Sequence, residues 1–338
     1  AERPLGAGEA MRIFTGAPVP GGADAVVMVE RTERLDGGRA VRVEVAVEPG
    51  NHLRAAGEDL KPGERVLGAG DLVTPAARGV LASLGVERVL VHPRPRVGVV
   101  STGDELVVGT APLRPGQIRD SNRPMLLALV ADAGFTPVDL GRAPDDEAAI
   151  TAALRQGAAT CDAVLSSGGV SMGDIDLVRV VLDRIGDMRW MQVAIRPAKP
   201  LAFGTVPGPA GDPVPVFGLP GNPVSSLVSF MLFARPGLRR RAGQPDARLH
   251  LPRLAAVAAE PLPRARDGKT HFVRVVAGVD DGVVRVRSSG GQGSHQLGAM
   301  ARADGLAVLP DGDGVDAGGR VEVMLLGDPP RSPAGPVA

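Results

Sequence analysis

The spacing of hydrophobic positions changes twice along the chain, and each change predicts a different architecture. Over residues 1–63, Val-rich runs at Ala25–Glu30 and Val41–Val47 sit between Gly and Pro residues, which predicts short strands and turns. Thr74-Pro75 supplies a cap and a first helical residue for a helix over Pro75–Leu84, stopped by Gly85. Glu87–Val91 then reads as a short strand.

From Arg96 onward, short Val-rich runs alternate with helix-length segments. Strands are expected at Arg96–Ser101, Thr136–Gly141, Asp162–Ser167 and Val214–Gly218, and helices at Asn122–Asp132, Asp145–Gln156, Ile175–Ile185 and Pro223–Ala234. The second helix would carry Asp145, Asp146 and Glu147 in its first turn, where the helix dipole favours acids. This alternation means a largely parallel sheet with helices on both faces. Ligands of such sheets bind beyond the carboxyl ends of the strands, so the loops after Ser101, Gly141, Ser167 and Gly218 matter most.

The rhythm changes again after residues 236–250, a basic, breaker-rich stretch that reads as a linker. Five short strands follow, at Leu254–Glu260, His271–Val279, Val283–Ser288, Gly305–Pro310 and Arg320–Leu326, with one helix near Ser294–Ala301. That is a small β-barrel or sandwich. The domains expected are a partial β-rich region over 1–63, a one-helix linker segment over 64–94, an α/β domain over 95–243, a small β-barrel over 244–328 and a disordered tail over 329–338. The fold class is multidomain α/β plus β, with a central, mostly parallel α/β sandwich. A length of 338 residues agrees with two or more domains.

Composition removes several function classes. The 38 basic and 38 acidic residues cancel, so the electrostatic footprint of a nucleic-acid binder is missing. Seven Phe, one Trp and no Tyr leave few platforms for base stacking. The single cysteine, Cys161, excludes a disulfide framework and a thiolate zinc cage, and reads as inert packing. The five histidines show no metal-ligand spacing. No apolar run of about 18 residues occurs, which excludes a membrane-spanning helix. No signal-peptide pattern is visible, so the expected compartment is the cytoplasm. The chain starts at Ala1 without Met and runs straight into motif-like sequence, so an N-terminal truncation is expected. Only Lys61, Lys199 and Lys269 break an otherwise all-arginine set of basic residues, which singles out any lysine in a motif.

The most informative loop is Ser166-Ser167-Gly168-Gly169-Val170-Ser171-Met172-Gly173-Asp174-Ile175-Asp176, running from a buried strand into a helix. Paired glycines let backbone N–H groups face an anion, and the helix start adds its positive end. The plainer alternative is a Gly-rich turn capped by Asp174. Carboxylates beside a phosphate cradle need a cation between them and the ligand, so Asp174 and Asp176 suggest Mg²⁺. Ser101-Thr102-Gly103-Asp104-Glu105 and the Asp145-Asp146 pair should reach the same edge, although solvated charges and helix-start acids explain each locally. Together the three acidic loops fit a hard-cation site.

Gly218-Leu219-Pro220-Gly221-Asn222-Pro223 is explained by Asn222 as a helix cap and Pro223 as the first helical residue. Arg196-Pro197-Ala198-Lys199-Pro200 holds a scarce lysine between prolines, a rigid cation for phosphate or oxyanion binding, against the default of a surface lysine. Thr15-Gly16-Ala17-Pro18 and Asn51-His52-Leu53-Arg54 to Gly57-Glu58-Asp59 are turn-forming and weak alone. His295 and the GGQGSH run resemble a flexible loop more than a site.

In order and spacing, RIFTGAPVPGGADAVVMVE, NHLRAAGEDL, PRVGVVSTGDELV, IRDSN, SSGGVSMGDID, RPAKPLAFG and FGLPGNPVS closely resemble the molybdopterin molybdenumtransferases, the bacterial MoeA proteins and the gephyrin E domain. The central sandwich would then be a molybdopterin-binding-type domain. The resemblance implies Mg²⁺-dependent insertion of molybdate into adenylylated molybdopterin with release of AMP. It also implies a homodimer with its active site at the subunit interface, and a molybdopterin adenylyltransferase as partner. Carried over by motif, the catalytic set is Asp59, Glu105, Asp145, Asp176 and Lys199, with Glu105, Asp145 and Asp176 at the metal. Thr15, Ser167, Gly168, Gly169, Ser171, Arg196, Pro220, Asn222 and Pro223 are the expected substrate contacts.

Two departures stand out. The family's Lys-Pro-Gly-Lys-Pro is Arg196-Pro197-Ala198-Lys199-Pro200 here, and an Arg holds oxyanions with a flatter, more bidentate geometry. The family's Met-Asp-Gly-Tyr-Ala motif is absent, which implies either an inactive chain or numbering that begins inside a longer protein. Two competing readings remain: a molybdopterin adenylyltransferase, which shares the central domain, and a non-enzymatic gephyrin-like scaffold.

Overall fold

The structure is a computed structural model that describes residues 3–170 and 176–327. Its Cα framework separates into Ala1–Ala69 and Gly70–Ala338.

The first unit is irregular apart from an antiparallel hairpin, β1 (Thr32–Leu35) and β2 (Ala40–Val43). The run Ala25–Glu30 is not a strand and ends in a 3-10 turn at Val29–Arg31. Its backbone finds single partners instead of a ladder: the Val26 N–H donates to the Asn51 carbonyl at 2.9 Å, and Asn51 Nδ2 donates to the Val26 carbonyl at 2.8 Å.

The second unit begins with α1 (Pro75–Ser83), whose Thr74 Oγ1 accepts the Ala77 N–H at 3.2 Å. No residue of α1 is buried. Glu87–Val91, expected as a strand, lies outside any sheet, and its Leu90 is fully exposed.

The central sheet contains β3 (Arg96–Thr102), β4 (Thr136–Ala143), β5 (Ala163–Ser167), β6 (Asp187–Gln192), β7 (Pro200–Pro207) and β8 (Pro213–Leu219). Their spatial order is β4-β3-β5-β8-β7-β6. The first four are mutually parallel, while β7 and β6 add an antiparallel edge. Helices α2 (Asn122–Asp132), α3 (Glu147–Thr160) and α4 (Leu177–Ile185) provide the crossovers, and with α5 (Pro223–Ser229), which leads out of the sheet, they cover it. Val97 and Val99 of β3 face α2 and α5, and Val100 faces α3 and α4, all within 1 % of complete burial. Such near-continuous apolar strands are what two-sided burial requires.

Residues 236–250 are not a linker. The helix of α5 continues through a π turn, Phe230–Ala234, into α6 (Arg235–Arg241), with Pro236 at its start. Pro236 has no N–H to give to the preceding turn, and the wider π turn accommodates it. Leu238 and Leu249 are buried, and the Arg235 guanidinium donates to the Leu249 carbonyl at 3.1 Å. Burial drops the Arg235 pKa to about 10.

The C-terminal strands β9 (Arg253–Ala258), β10 (Thr270–Asp280), β11 (Val283–Ser288), β12 (Gly305–Leu309) and β13 (Arg320–Leu325) run in the order β11-β9-β13-β12-β10, and pairing of β10 with β11 closes the barrel. A short helix, α7 (Leu297–Ala301), packs beside it. Ile195–Arg196 pairs in parallel with the start of β10, placing Arg196 opposite His271 and tying the basic segment to the barrel.

Candidate functional site at the carboxyl edge of the central sheet

Strand β5 ends in Ser166 and Ser167, both buried, and the chain then turns through Gly168 (φ 97°) and Gly169 (φ 74°). Both conformations favour glycine, and so does the space. A Cβ on Gly168 would lie 3.0 Å from Thr102 Oγ1, and one on Gly169 would lie 2.2 Å from Val178 Cβ and 3.0 Å from Asp176 Oδ1. The glycine turn is thus flanked by the end of β3 on one side and the start of α4 on the other. Asp176 caps α4 by accepting the Arg179 N–H at 3.3 Å, so its carboxylate is held at the glycine turn. Ser171 and Asp174 lie outside the described residues.

The LPGNP segment joins the same edge. The Gly168 N–H donates to the Leu219 carbonyl at 3.1 Å, and Asn122 Nδ2 donates both to Ser167 Oγ at 2.8 Å and to the Gly221 carbonyl at 2.6 Å. Pro220 is buried, and Pro223 is the first residue of α5. Asn222 occupies the cap position but makes no side-chain cap hydrogen bond. Asn122 Oδ1 is buried without a partner among the described residues.

The acidic loops after β3 and β4 are stitched together. The Asp104 N–H donates to Asp145 Oδ2 at 3.1 Å, and the Asp145 N–H returns to Asp104 Oδ1 at 3.2 Å. Asp145 therefore precedes helix α3, whose cap is Asp146, accepting the Ala149 N–H at 2.8 Å. The Glu105 carboxylate folds over Gly103: a Cβ there would sit 2.4 Å from Glu105 Oε2. Arg142 adds a cation, donating to the Gly103 carbonyl at 2.9 Å. Beneath this edge, Arg123 bridges Asp120 (3.0 Å) and Asp139 (2.6 Å), while Ser101 Oγ donates to Asp120 at 2.6 Å. Burial opposes the Arg123 charge, but the two carboxylates outweigh it and raise its pKa. Burial likewise opposes the Asp139 carboxylate, and Arg123 with the Gly141 N–H holds its pKa down.

The basic segment enters from the antiparallel edge. In the sheet register Ala202 of β7 faces Gly218, and Gly218 faces Ser166, so the residues just before β7 emerge at the carboxyl end of β5 and β8. Arg196 and Lys199 are exposed there, on either side of a buried Ala198 with φ 78°. Thr15 and Asp59 belong to the N-terminal unit: Thr15 sits in a turn closed by the Ala17 N–H to the Phe14 carbonyl at 3.0 Å, and Asp59 is exposed.

Among the described residues no group of three or more His, Cys, Asp or Glu side chains is gathered closely enough to hold a metal by itself. The edge instead offers carboxylates spaced along the glycine turn. Sequence reasoning missed Asn122, Asp120 and Arg123 as parts of this edge. The IRDSN motif marked the place, but an Asn at a helix start passes for a cap.

The GGQGSH run is not the flexible loop expected. Gln292 Oε1 accepts the Arg274 N–H at 2.9 Å and its Nε2 donates to the Arg274 carbonyl at 3.0 Å. The fully buried Arg274 guanidinium donates to the carbonyls of Gly291 (2.6 Å) and Gly293 (3.2 Å), and burial lowers its pKa. The Ser294 carbonyl then accepts the Val224 N–H of α5 at 3.0 Å. Cys161 is buried, and burial pushes its thiol pKa up, as inert packing requires.

Three family descriptions match the chain: "MoeA N-terminal region (domain I and II)" over residues 1–85, "Probable molybdopterin binding domain" over 98–240 and "MoeA C-terminal region (domain IV)" over 255–326. The chain is 43% identical over 309 residues to molybdopterin molybdenumtransferase 2 of Mycobacterium tuberculosis, covering 89% of this chain and 73% of that protein. It is 37% identical to the molybdopterin molybdenumtransferase of Haemophilus influenzae, with 93% and 76% covered. A solved MoeA structure from Pyrococcus horikosii superimposes with a TM-score of 0.73 at 30% identity, covering 97% of this chain and 78% of that one. With the closed barrel and the glycine turn between acidic loops, these matches agree along the whole length: the chain belongs to the molybdopterin molybdenumtransferase family.

Proposed function

We propose that the protein is a transferase of molybdenum cofactor biosynthesis that inserts molybdate into adenylylated molybdopterin and releases AMP. The observation that carries this reading is the shared edge: a glycine turn flanked by Thr102 and Asp176, closed by the LPGNP segment and approached by Arg196 and Lys199. Gly169 through its N–H and Ser167 and Ser171 through their hydroxyls would receive the phosphate bridge, and Gly168, whose own N–H is held by the Leu219 carbonyl, would allow its close approach. Pro220, Asn222 and Pro223 would border it, and Arg196 and Lys199 would hold molybdate as an oxyanion.

Mg²⁺ belongs to the same proposal. The donor set is all carboxylate oxygen, which suits a hard cation, and Mg²⁺ takes one or two carboxylates and completes its shell with phosphate and water, so a ready-made cage is not required. Glu105, Asp145 and Asp176 would hold it. When bound, it screens the negative charges and polarises the phosphate. A homodimer fits the surface: Leu84, Val86, Val89, Leu90 and Val91 are all exposed beside an α1 that buries nothing. A cytoplasmic location and an adenylyltransferase that delivers the substrate complete the reading.

The test is AMP release from adenylylated molybdopterin with molybdate and Mg²⁺. Asp176→Ala and Glu105→Ala are each expected to reduce it to background. Wild-type rates in both variants would overturn the metal assignment. Adenylylated product accumulating from ATP and molybdopterin would instead support an adenylyltransferase.

A further inference from the structure

Asn122 has no part in the chemistry above, yet its side chain is nine-tenths buried at this edge. One amide N–H is spent on Ser167 Oγ and the other on the Gly221 carbonyl, at 2.8 and 2.6 Å. The carbonyl partner fixes the amide orientation, because a carbonyl oxygen accepts only from a donor. The side chain does not serve its own helix either. The cap position of α2 is Ser121, and Asn122 Oδ1 takes no donor among the described residues. A buried amide that leaves its acceptor empty, and aims both donors across to two other loops, is placed for those loops.

The loops it joins are the two that would border the ligand. Ser167 leads directly into Gly168 and Gly169, and Gly221 is the centre of LPGNP. A Cβ on Gly221 would already stand 3.9 Å from Gly168 Cα, so the two turns run alongside each other. In its bond with Asn122, Ser167 Oγ is the acceptor, which leaves the serine's own hydrogen available to donate elsewhere.

We propose that Asn122 is a positioning residue for substrate binding. It sets the separation of the SSGG and LPGNP loops and orients the Ser167 hydroxyl so that its hydrogen is offered to a phosphate oxygen of the ligand. The inference rests on reading this edge as the substrate cradle. It adds the residue that holds the cradle in shape.

Asn122→Asp keeps the shape of the side chain but turns an oxygen toward the Gly221 carbonyl. Asn122→Ser releases both loops without adding charge. Steady-state AMP release, with the concentration of adenylylated molybdopterin varied, separates the roles. Each variant is expected to raise KM at least tenfold while kcat stays within threefold. Ser167→Ala should raise KM similarly, and the double variant Asn122→Ser with Ser167→Ala should be no worse than the poorer single variant. Thermal unfolding of each variant verifies that the protein remains folded. Wild-type KM in folded Asn122→Asp and Asn122→Ser, with Ser167→Ala impaired, would overturn this inference alone. Effects that multiply in the double variant would overturn it as well. A silent Ser167→Ala would bring down the reading of the edge itself.

Discussion

The tetrapeptide Ser-Ser-Gly-Gly occurs twice, at 166–169 and at 288–291, and the protein uses it in opposite ways. At 166–169 it ends a central parallel strand, with both glycines at positive φ and Asp176, Thr102 and Asn122 around it. At 288–291 it ends a barrel strand. There Ser289 Oγ donates to the Ala299 carbonyl at 2.8 Å, and Arg274 and Gln292 fill the space beneath the loop. Four identical residues make a turn bordered by carboxylates in one place and a plugged turn in the other. The difference lies in what the neighbouring elements supply: helix starts and acids around the first, a buried guanidinium under the second. A Gly-rich loop is therefore a permission for close approach, and its surroundings decide what approaches.

The sharpest way to break this comparison is to add one methyl group to each loop. In Gly169→Ala the new Cβ would stand 2.2 Å from Val178 Cβ and 3.0 Å from the Asp176 carboxylate, at a backbone angle that disfavours any side chain. Strain of about 1–2 kcal/mol and overpacking of about 1–3 kcal/mol should shift the turn, lowering AMP release on the order of 100-fold. In Gly291→Ala the nearest atoms are the flexible end of Gln296, at 2.3 Å, and φ is ordinary. That variant should keep wild-type AMP release and lose less than about 1 kcal/mol in urea unfolding. Equal loss of activity in both would show that the barrel loop is no mere plug.

Arg274→Met sharpens the other half. It would strip the donors from the Gly291 and Gly293 carbonyls, at a cost of about 1–3 kcal/mol, partly offset by removing a buried cation that has no acidic partner among the described residues. Urea unfolding should show a net loss toward the lower end of that range. No change would mean that Gln292 holds the loop by itself.

How much of this was legible in the chain follows the same division. Strands β3, β5 and β8 announce themselves, because burial on both faces demands nearly unbroken apolar runs, while the edge strand β4 shows through alternation, with Thr136, Val138 and Leu140 half-buried and the positions between them exposed. Strands β6 and β7 did not, since Asp187–Gln192 alternates polar and apolar at an exposed edge and β7 is bounded by Pro200 and Pro207, residues that read as breakers. Helix α6 hid behind Pro236 and three successive arginines, which read as a linker until Leu238 is seen to be buried. The acidic loops at the site were visible as charges on strand ends. Their pairing was not, because the reciprocal bonds of Asp104 and Asp145 join residues 41 positions apart. Arg274 was invisible for a related reason: a charged residue in a strand is ordinarily read as solvent-facing, and it is the 291–293 loop, laid over the outer face of the barrel, that buries it.

The smallest expected effect concerns a third turn of the same backbone type. The cradle assigns its positive φ angles to Gly168 and Gly169, whereas the basic segment assigns one to Ala198, at φ 78° and buried. An L-residue there carries about 1–2 kcal/mol of steric strain that glycine does not. Ala198→Gly would release that strain but also free the unfolded chain, which costs about 0.4–1 kcal/mol. The balance should be a small gain, roughly 0.5–1 kcal/mol, seen as a modest rise in thermal midpoint. If Ala198 serves to hold Arg196 and Lys199 in one geometry for an oxyanion, the same variant should raise the KM for molybdate even as the protein becomes more stable. A gain in stability with unchanged KM would mean that the alanine is strain without a purpose. A loss of stability would mean that the space the methyl group fills matters more than the angle it endures.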